Sequence, residues 1–461
     1  MLAAFKEQVS LGIFTFDFIY AFAAMSVVLV VLALCMIDAG LVRTKNLVDT
    51  FTLKIASALI AGLGTIVIGY AIWQWSFNTA FGVPNPLSQA LKDWWLFGNY
   101  MTEFAGNLDP KKVVEADVNQ VFVVFFMTFS MATAALIHSS VVERIKAAPM
   151  LWMSAVIGLI LSPVAGYLCW GPVSPLTNRG VHDFDGVFPL YIFAGTFSLV
   201  LAWRCRPRRG IGVGGTASNA ERPPTNLAMV GVGVLMIIFA LPFIAIGSGW
   251  FFPDVGFFGI SMTTSGFGIV LINVLASFCT GGLVGTFLAY RHRQAAWVPL
   301  GALSSAILCG AMFDIMDPWV IVLVSLAGPF VTMFGQSTMV RLGIDDPKVV
   351  PLAFFNGVIG AILTGFVAWG THTGGFLGLE GKYGFQHAEI KPWWQLIGVL
   401  AIVALAGIPA LLMSLFFERT TGLVVDDAGQ DAGLDHVYWD HPAIAGRGAE
   451  AVPAPGAAIT T

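Results

Sequence analysis

Runs of roughly 20 mostly apolar residues, separated by short polar stretches, dominate the chain from end to end. Eleven such windows stand out, at about 17–41, 51–73, 118–142, 148–170, 187–203, 226–248, 260–290, 296–313, 318–340, 349–370 and 394–417. A helix needs about 20 apolar residues to cross a bilayer core of about 30 Å. The pattern therefore predicts an all-α polytopic membrane protein with eleven transmembrane helices. The fifth window is short. The seventh is over-long, and its helix has to tilt or start early. No basic stretch with a small-residue cleavage site precedes the first window, so no cleavable signal peptide is predicted.

Charge supplies the orientation. With the N-terminus outside, the inner segments hold Arg43, Lys45, Lys54, Arg144, Lys146, Arg204, Arg206, Arg208, Arg209, Arg222, Arg291, Arg293, Arg341, Lys348, Arg419 and Arg447, which is 16 of the 23 basic residues. The outer segments are longer in total yet carry the other 7. Excess Lys and Arg marks the cytoplasmic side, so the topology predicted is N-out, C-in. The outer loop at about 74–117 is rich in tryptophan and proline and reads as an ordered extracytoplasmic hairpin.

Composition agrees and removes other classes. Hydrophobic residues make up 57 % and charged residues 11 % of the chain, against about 45–50 % and about 25 % in soluble domains. Mean hydropathy is +0.81. Nucleic-acid binding and disulfide scaffolds are excluded. The five cysteines have no CxxC spacing, and Cys35, Cys169, Cys279 and Cys309 sit in apolar stretches as small hydrophobes do. A GxGxxG pattern at Gly210, Gly212 and Gly215 follows an arginine cluster rather than a strand, so it reads as an inner loop and not a nucleotide fold. There is no HExxH, GxSxG or phosphate loop, and no His/Cys/Asp spacing suited to a metal. The chain is predicted to be neither an enzyme nor a holder of a metal or cofactor. Ionisable residues within spans are costly and draw attention. Asp38, at the end of the first window, is expected to pair with Arg43 or cap backbone.

Seven strings then narrow the picture. They are IDAGLVRTKN at 37–46, LIHSSVVERIK at 136–146, CWG at 169–171, DFDG at 183–186, NLAMV at 226–230, RLGIDDP at 341–347 and GVIGAILTGF at 357–366. In order and spacing the chain resembles the ammonium transporter (Amt/Mep/Rh) family from about 17 to 435. The resemblance implies two inverted five-helix halves, at about 17–203 and 226–370, with a peripheral eleventh helix. It implies a homotrimer in the plasma (inner) membrane, each subunit passing ammonium, ammonia or a related small amine through its own pore. Residues 1–422 would form the membrane domain and 423–461 a cytoplasmic tail, disordered from about 443. The GLD at 433–435, with His441 beyond it, is similar to the family's tail. In some members that tail is where a PII-type signalling protein acts.

The resemblance also carries site residues. The outer substrate site falls on Phe129, Trp170 and Ser248, two aromatic faces and a hydroxyl suited to holding a cation. Its structural aspartate falls on Asp183, expected to stay ionised by accepting backbone hydrogen bonds or to cap the fifth span. The family's second gating phenylalanine falls on Ile244, and the tryptophan before it on Leu241. Its two mid-pore histidines, thought to relay a proton, fall on Tyr191 and Ala353. These two are expected to face each other across the pore with Asn356 one turn away, in a lumen nearly free of ionisable groups. Loss of the histidines keeps an alternative open, a non-conducting or altered-substrate member acting as a sensor or regulatory subunit.

Overall fold

The apolar windows become helices in a computed structural model, which describes residues 11–103, 116–213, 226–249, 265–346, 348–376 and 378–439. In chain order they are α1 (Asp17–Ala39), α2 (Thr44–Ala80), α3 (Asn119–Ser139), α4 (Ala147–Trp170), α5 (Val187–Cys205), α6 (Leu227–Gly247), α7 (Phe267–His292), α8 (Trp297–Met312), α9 (Pro318–Arg341), α10 (Val350–Val367) and α11 (Pro392–Arg419). Ten of these are long and apolar enough to cross a membrane. The exception is α8, which at 1.5 Å per residue is about 24 Å long, short of a full hydrocarbon core. Residues 260–264 of the seventh window, the stretch from 443 and His441 lie outside the described residues.

Packing in the second group of five helices echoes that in the first. In the first group α2 lies against α3 and α4, and in the second α7 lies against α8 and α9. Among the described residues the groups meet most extensively where α1 runs along α6 and α5 packs against α10. The apolar core divides the same way, one cluster centred on α1–α5 and the other on α6–α9. α11 packs on the outside of α5 and α10. Large apolar side chains such as Trp152, Leu283 and Phe287 point outward, as a lipid-facing surface allows.

Small residues set the helix spacing. Without a hydrophobic drive between helices in lipid, close backbone approach supplies the attraction. Gly195 of α5 admits the backbone of Phe354, and Gly357 of α10 admits Ile192. Both helices are π-helical at these ends, over Val187–Ile192 and Val350–Phe355. Such bulges concentrate at functional sites, and these two meet at the interface of the halves.

One end of the bundle is tied by buried charge. Glu143, at φ 67°, accepts from the Arg43 backbone (2.8 Å), Arg43 Nε (3.1 Å) and Asn46 Nδ2 (2.7 Å). Asp345 accepts from Arg144 Nη1 (2.8 Å) and from Arg208 Nε (2.8 Å) and Nη2 (3.0 Å). Four interhelical loops thus become one network, three of them carrying family-like strings and the fourth carrying Arg208. The expected Asp38–Arg43 pair does not form. Arg43 is taken by Glu143, and Asp38 pairs instead with Lys54 (2.7 Å) and Lys348. Lys54 is no loop residue: it is buried within α2 and also donates to Ala135 O (2.9 Å) and Ser139 Oγ (2.6 Å).

The chain after α11 docks on this same end. Val425 N donates to Arg144 O (2.9 Å), and Lys146 N to Leu423 O (3.0 Å). Two short helices follow, α12 (Asp427–Ala432) and α13 (Leu434–Tyr438). Asp435 accepts from the backbones of Val48 (3.1 Å) and Asp49 (2.7 Å). It thereby satisfies N–H groups of the first turn of α2 that the local Asn46 leaves uncapped. Asp435→Ala is expected to cost about 1 kcal/mol, as the loss of a helix cap does, and to expose the tail. Limited proteolysis should then release the tail several-fold faster, and an unchanged cleavage rate would rule the cap out.

Candidate functional site in the cavity between the halves

A cavity of about 820 Å³ lies between the two halves. Its wall is mostly aliphatic, drawn from α1, α3, α5, α6, α8 and α10. Towards the docked tail it is bounded by Asp38, Arg208, Asp345, Asp346 and Lys348. Towards the other end it reaches Phe129. Tyr191, Ala353, Ile244 and Leu241 all contribute to this wall. Asn356 does not turn towards it. Its amide donates to Thr332 Oγ1 of α9 (2.7 Å) and to Leu352 O (3.1 Å), because one turn along α10 from Ala353 leads into the helix packing and not the cavity.

Phe129 is fixed by two neighbours. Its ring meets Trp170 edge-to-face with centroids 5.3 Å apart. It also lies over Gly186, where a β-carbon would sit 2.5 Å from Phe129 Cζ. Gly186 holds φ 77°, a left-handed conformation that glycine adopts without strain, so two constraints select glycine at one position. Trp170 Nε1 donates to Asp183 Oδ2 (2.9 Å). Ser248, fully buried at the end of α6, donates its hydroxyl to Ile244 O (2.9 Å) within its own helix.

Asp183 starts α5. Its Oδ1 accepts from the backbones of Val187 (2.8 Å) and Phe188 (3.4 Å), the geometry of a helix cap. Burial pushes its carboxyl up to about 7, and His182, the two backbone N–H groups and the Trp170 indole only partly oppose that. A second buried pair lies beside it. His182 Nε2 is 3.0 Å from Asp314 Oδ1, and its Nδ1 is 3.2 Å from Thr373 Oγ1. This pair joins α8's end to the loop before α5. It was missed in the sequence because 132 residues separate the two partners.

The expectation of a lumen nearly free of ionisable groups is corrected. Asp185, only 1 % exposed, stands on the cavity wall. The signal was present in DFDG at 183–186, whose second aspartate could not be aimed without the tertiary structure.

The Ammonium Transporter Family model matches residues 18–444. The chain belongs to the ammonium transporter family. Ammonium transporter Amt1 of Methanocaldococcus jannaschii is 24 % identical over 407 residues, covering 87 % of this chain and 89 % of its own. The ammonium transporter of Bacillus subtilis is 25 % identical over 425 residues, covering 90 % and 94 %. Among solved structures, a sensor Amt protein superposes with a TM-score of 0.70 at 19 % identity, covering 92 % of this chain and 98 % of that one. Candida albicans Mep2 superposes at 0.68 and 18 % identity, covering 90 % and 86 %. At that identity the superpositions speak for the fold alone. Family membership places the chain among multi-pass membrane transport proteins and not among enzymes.

Proposed function

We propose that the protein conducts ammonium, ammonia or a related small amine across the plasma membrane, through the cavity between its halves. The observation that carries this reading is the cavity itself, with Phe129, Ile244, Leu241, Tyr191 and Ala353 sharing one wall at the interface of the two helix groups. A substrate path at the interface of inverted halves is the general plan of such transporters. In this reading all eleven helices cross, α8 included, with the N-terminus outside and the docked tail inside. Phe129, Trp170 and Ser248 form the outer substrate site, with Asp183 supporting it. Tyr191 and Ala353 narrow the middle. The working unit is a homotrimer. Residues 1–422 form the membrane domain, and the tail from 423 offers a cytoplasmic face for a PII-type signalling protein.

Uptake of labelled methylammonium into vesicles holding the purified protein tests the reading. Saturable uptake that unlabelled ammonium competes away is expected. Uptake no faster than in protein-free vesicles would overturn it. A cation over an aromatic face is worth about 1–2 kcal/mol when desolvated. Phe129→Ala should therefore raise the half-saturating methylammonium concentration roughly 5–30-fold. An unchanged value would remove Phe129 from the outer site.

A further inference from the structure

Among the described residues, Asp185 differs from its acidic neighbours Asp183 and Asp314 in having no hydrogen-bond partner. Asp183, two residues before it, accepts from an indole and two backbone N–H groups. Asp314 is paired with His182. Neither carboxylate oxygen of Asp185 has a hydrogen-bond partner among the described residues, although both are buried. Buried polar side chains that serve only packing are hydrogen-bonded in the large majority of cases. An unpartnered carboxylate in an apolar wall costs several kcal/mol when ionised.

The position is built and rigid. Gly186 follows in its left-handed conformation and seats the Phe129 ring on the next peptide. Opposite stands Gly310 at the end of α8, where a β-carbon would lie 3.8 Å from Asp185 Cβ and 2.7 Å from Val187 Cγ2. The carboxyl is thereby held on a wall it shares with Phe129 and Tyr191.

We propose that Asp185 is a cation site inside the lumen, binding ammonium or a small protonated amine between the Phe129 ring and Tyr191. The inference rests on reading the cavity as the conduction path. The ligand class follows from the chemistry: a small monovalent cation with N–H donors for two acceptor oxygens. An ammonium ion alone faces the desolvation barrier of an apolar lumen. Against the carboxylate it forms a neutral pair, so the lumen carries no net charge. The proton can sit on either partner. When it passes from ammonium to the carboxylate, an N–H bond breaks and an O–H bond forms, leaving ammonia beside a carboxylic acid. The reverse step regenerates the pair. One carboxyl thus offers the lumen a proton acceptor that Tyr191 and Ala353 do not.

The test compares the full-length wild-type protein with Asp185→Asn, which keeps the volume and removes the charge. Ammonium chloride and methylammonium chloride are the probes. Methylammonium uptake into vesicles should fall at least tenfold in the variant, and Asp185→Glu should recover part of it. Calorimetric titration of the detergent-solubilised proteins with ammonium chloride should show binding to the wild type that the variant lacks. Equal uptake and equal binding in the two proteins would overturn the proposal. A folded wild type without flux sinks the conduction reading, and the binding comparison then decides Asp185 independently. Should the carboxamide fail to fold, Asp185→Ala serves the same comparison.

Discussion

Replacing Asp345 by alanine should lower stability by roughly 3–5 kcal/mol, the usual result of removing one partner from a buried ion pair. Asp345 accepts from Arg144 and three times from Arg208, counting its backbone N–H at 3.0 Å. Its side chain is only 3 % exposed. Without it Arg208 keeps one bond of 3.3 Å to Glu143, and Arg144 keeps only carbonyl oxygens, so two buried guanidinium groups lose their main counter-charge. The loops after α1, α3, α5 and α9 lose their common tie together. Burial alone would raise the Asp345 carboxyl, but Arg208 and then Arg144 outweigh it and bring it from 3.8 down to about 2. A carboxylate held lower in the folded state stabilises above its unfolded value. Its contribution is therefore complete above about pH 4 and fades as the pH falls towards about 2. Thermal unfolding in detergent across that window measures both effects. A variant that melts with the wild type at pH 7 would show that the network contributes nothing net.

Gly158→Val should prevent stable assembly of the first helix group. A β-carbon at Gly158 would lie 1.8 Å from Ala61 O and 2.6 Å from Ala61 C, both backbone atoms of α2. No rotamer change relieves that contact, so α4 and α2 must separate. The crossing continues upward, since a β-carbon on Gly64 would meet Leu159 N at 2.8 Å and one on Gly69 would meet Gly158 O at 2.4 Å. Both helices are π-bulged here, over Ile157–Leu161 and Thr65–Gly69, and Thr65 Oγ1 bonds Ser130 Oγ of α3 (2.9 Å). Separation thus breaks a three-helix contact, at a cost of roughly 3 kcal/mol or more. The expected readout is loss of the monodisperse peak in detergent chromatography. Gly231→Ala is the control, because a β-carbon there meets nothing within 4 Å and no stability should be lost. If both variants behave like the wild type, backbone contact at Gly158 is not what holds α2 to α4.

Helix positions were legible because burial in lipid is a local property of the chain. A span must be apolar over its own length, so the window at 394–417 finds α11 at Pro392–Arg419 and the short window at 187–203 finds α5 at Val187–Cys205. The eighth window, at about 296–313, also finds the apolar helix α8 at Trp297–Met312, which is shorter than the other ten. The family resemblance likewise lay in local strings, which is how register alone could assign Tyr191, Ala353, Ile244 and Leu241 to expected pore positions.

Partner choice was not legible, because charge pairing depends on distance in space and not along the chain. Asp38 ends the first window five residues before Arg43, so proximity in sequence favoured that pair. In the folded chain Arg43 turns to Glu143, and Asp38 meets Lys54 and Lys348. Lys54 looked like a loop cation until α2 was seen to begin at Thr44 and carry it into the bundle. Asp183 and Asp185 are two residues apart in one string, chemically identical to any reading of spacing. The resemblance marked Asp183 as a cap; only the tertiary structure leaves Asp185 bare on the cavity wall. Gly186 turns the chain between them and α5, and Phe129 and Gly310 close around it from helices far away in sequence.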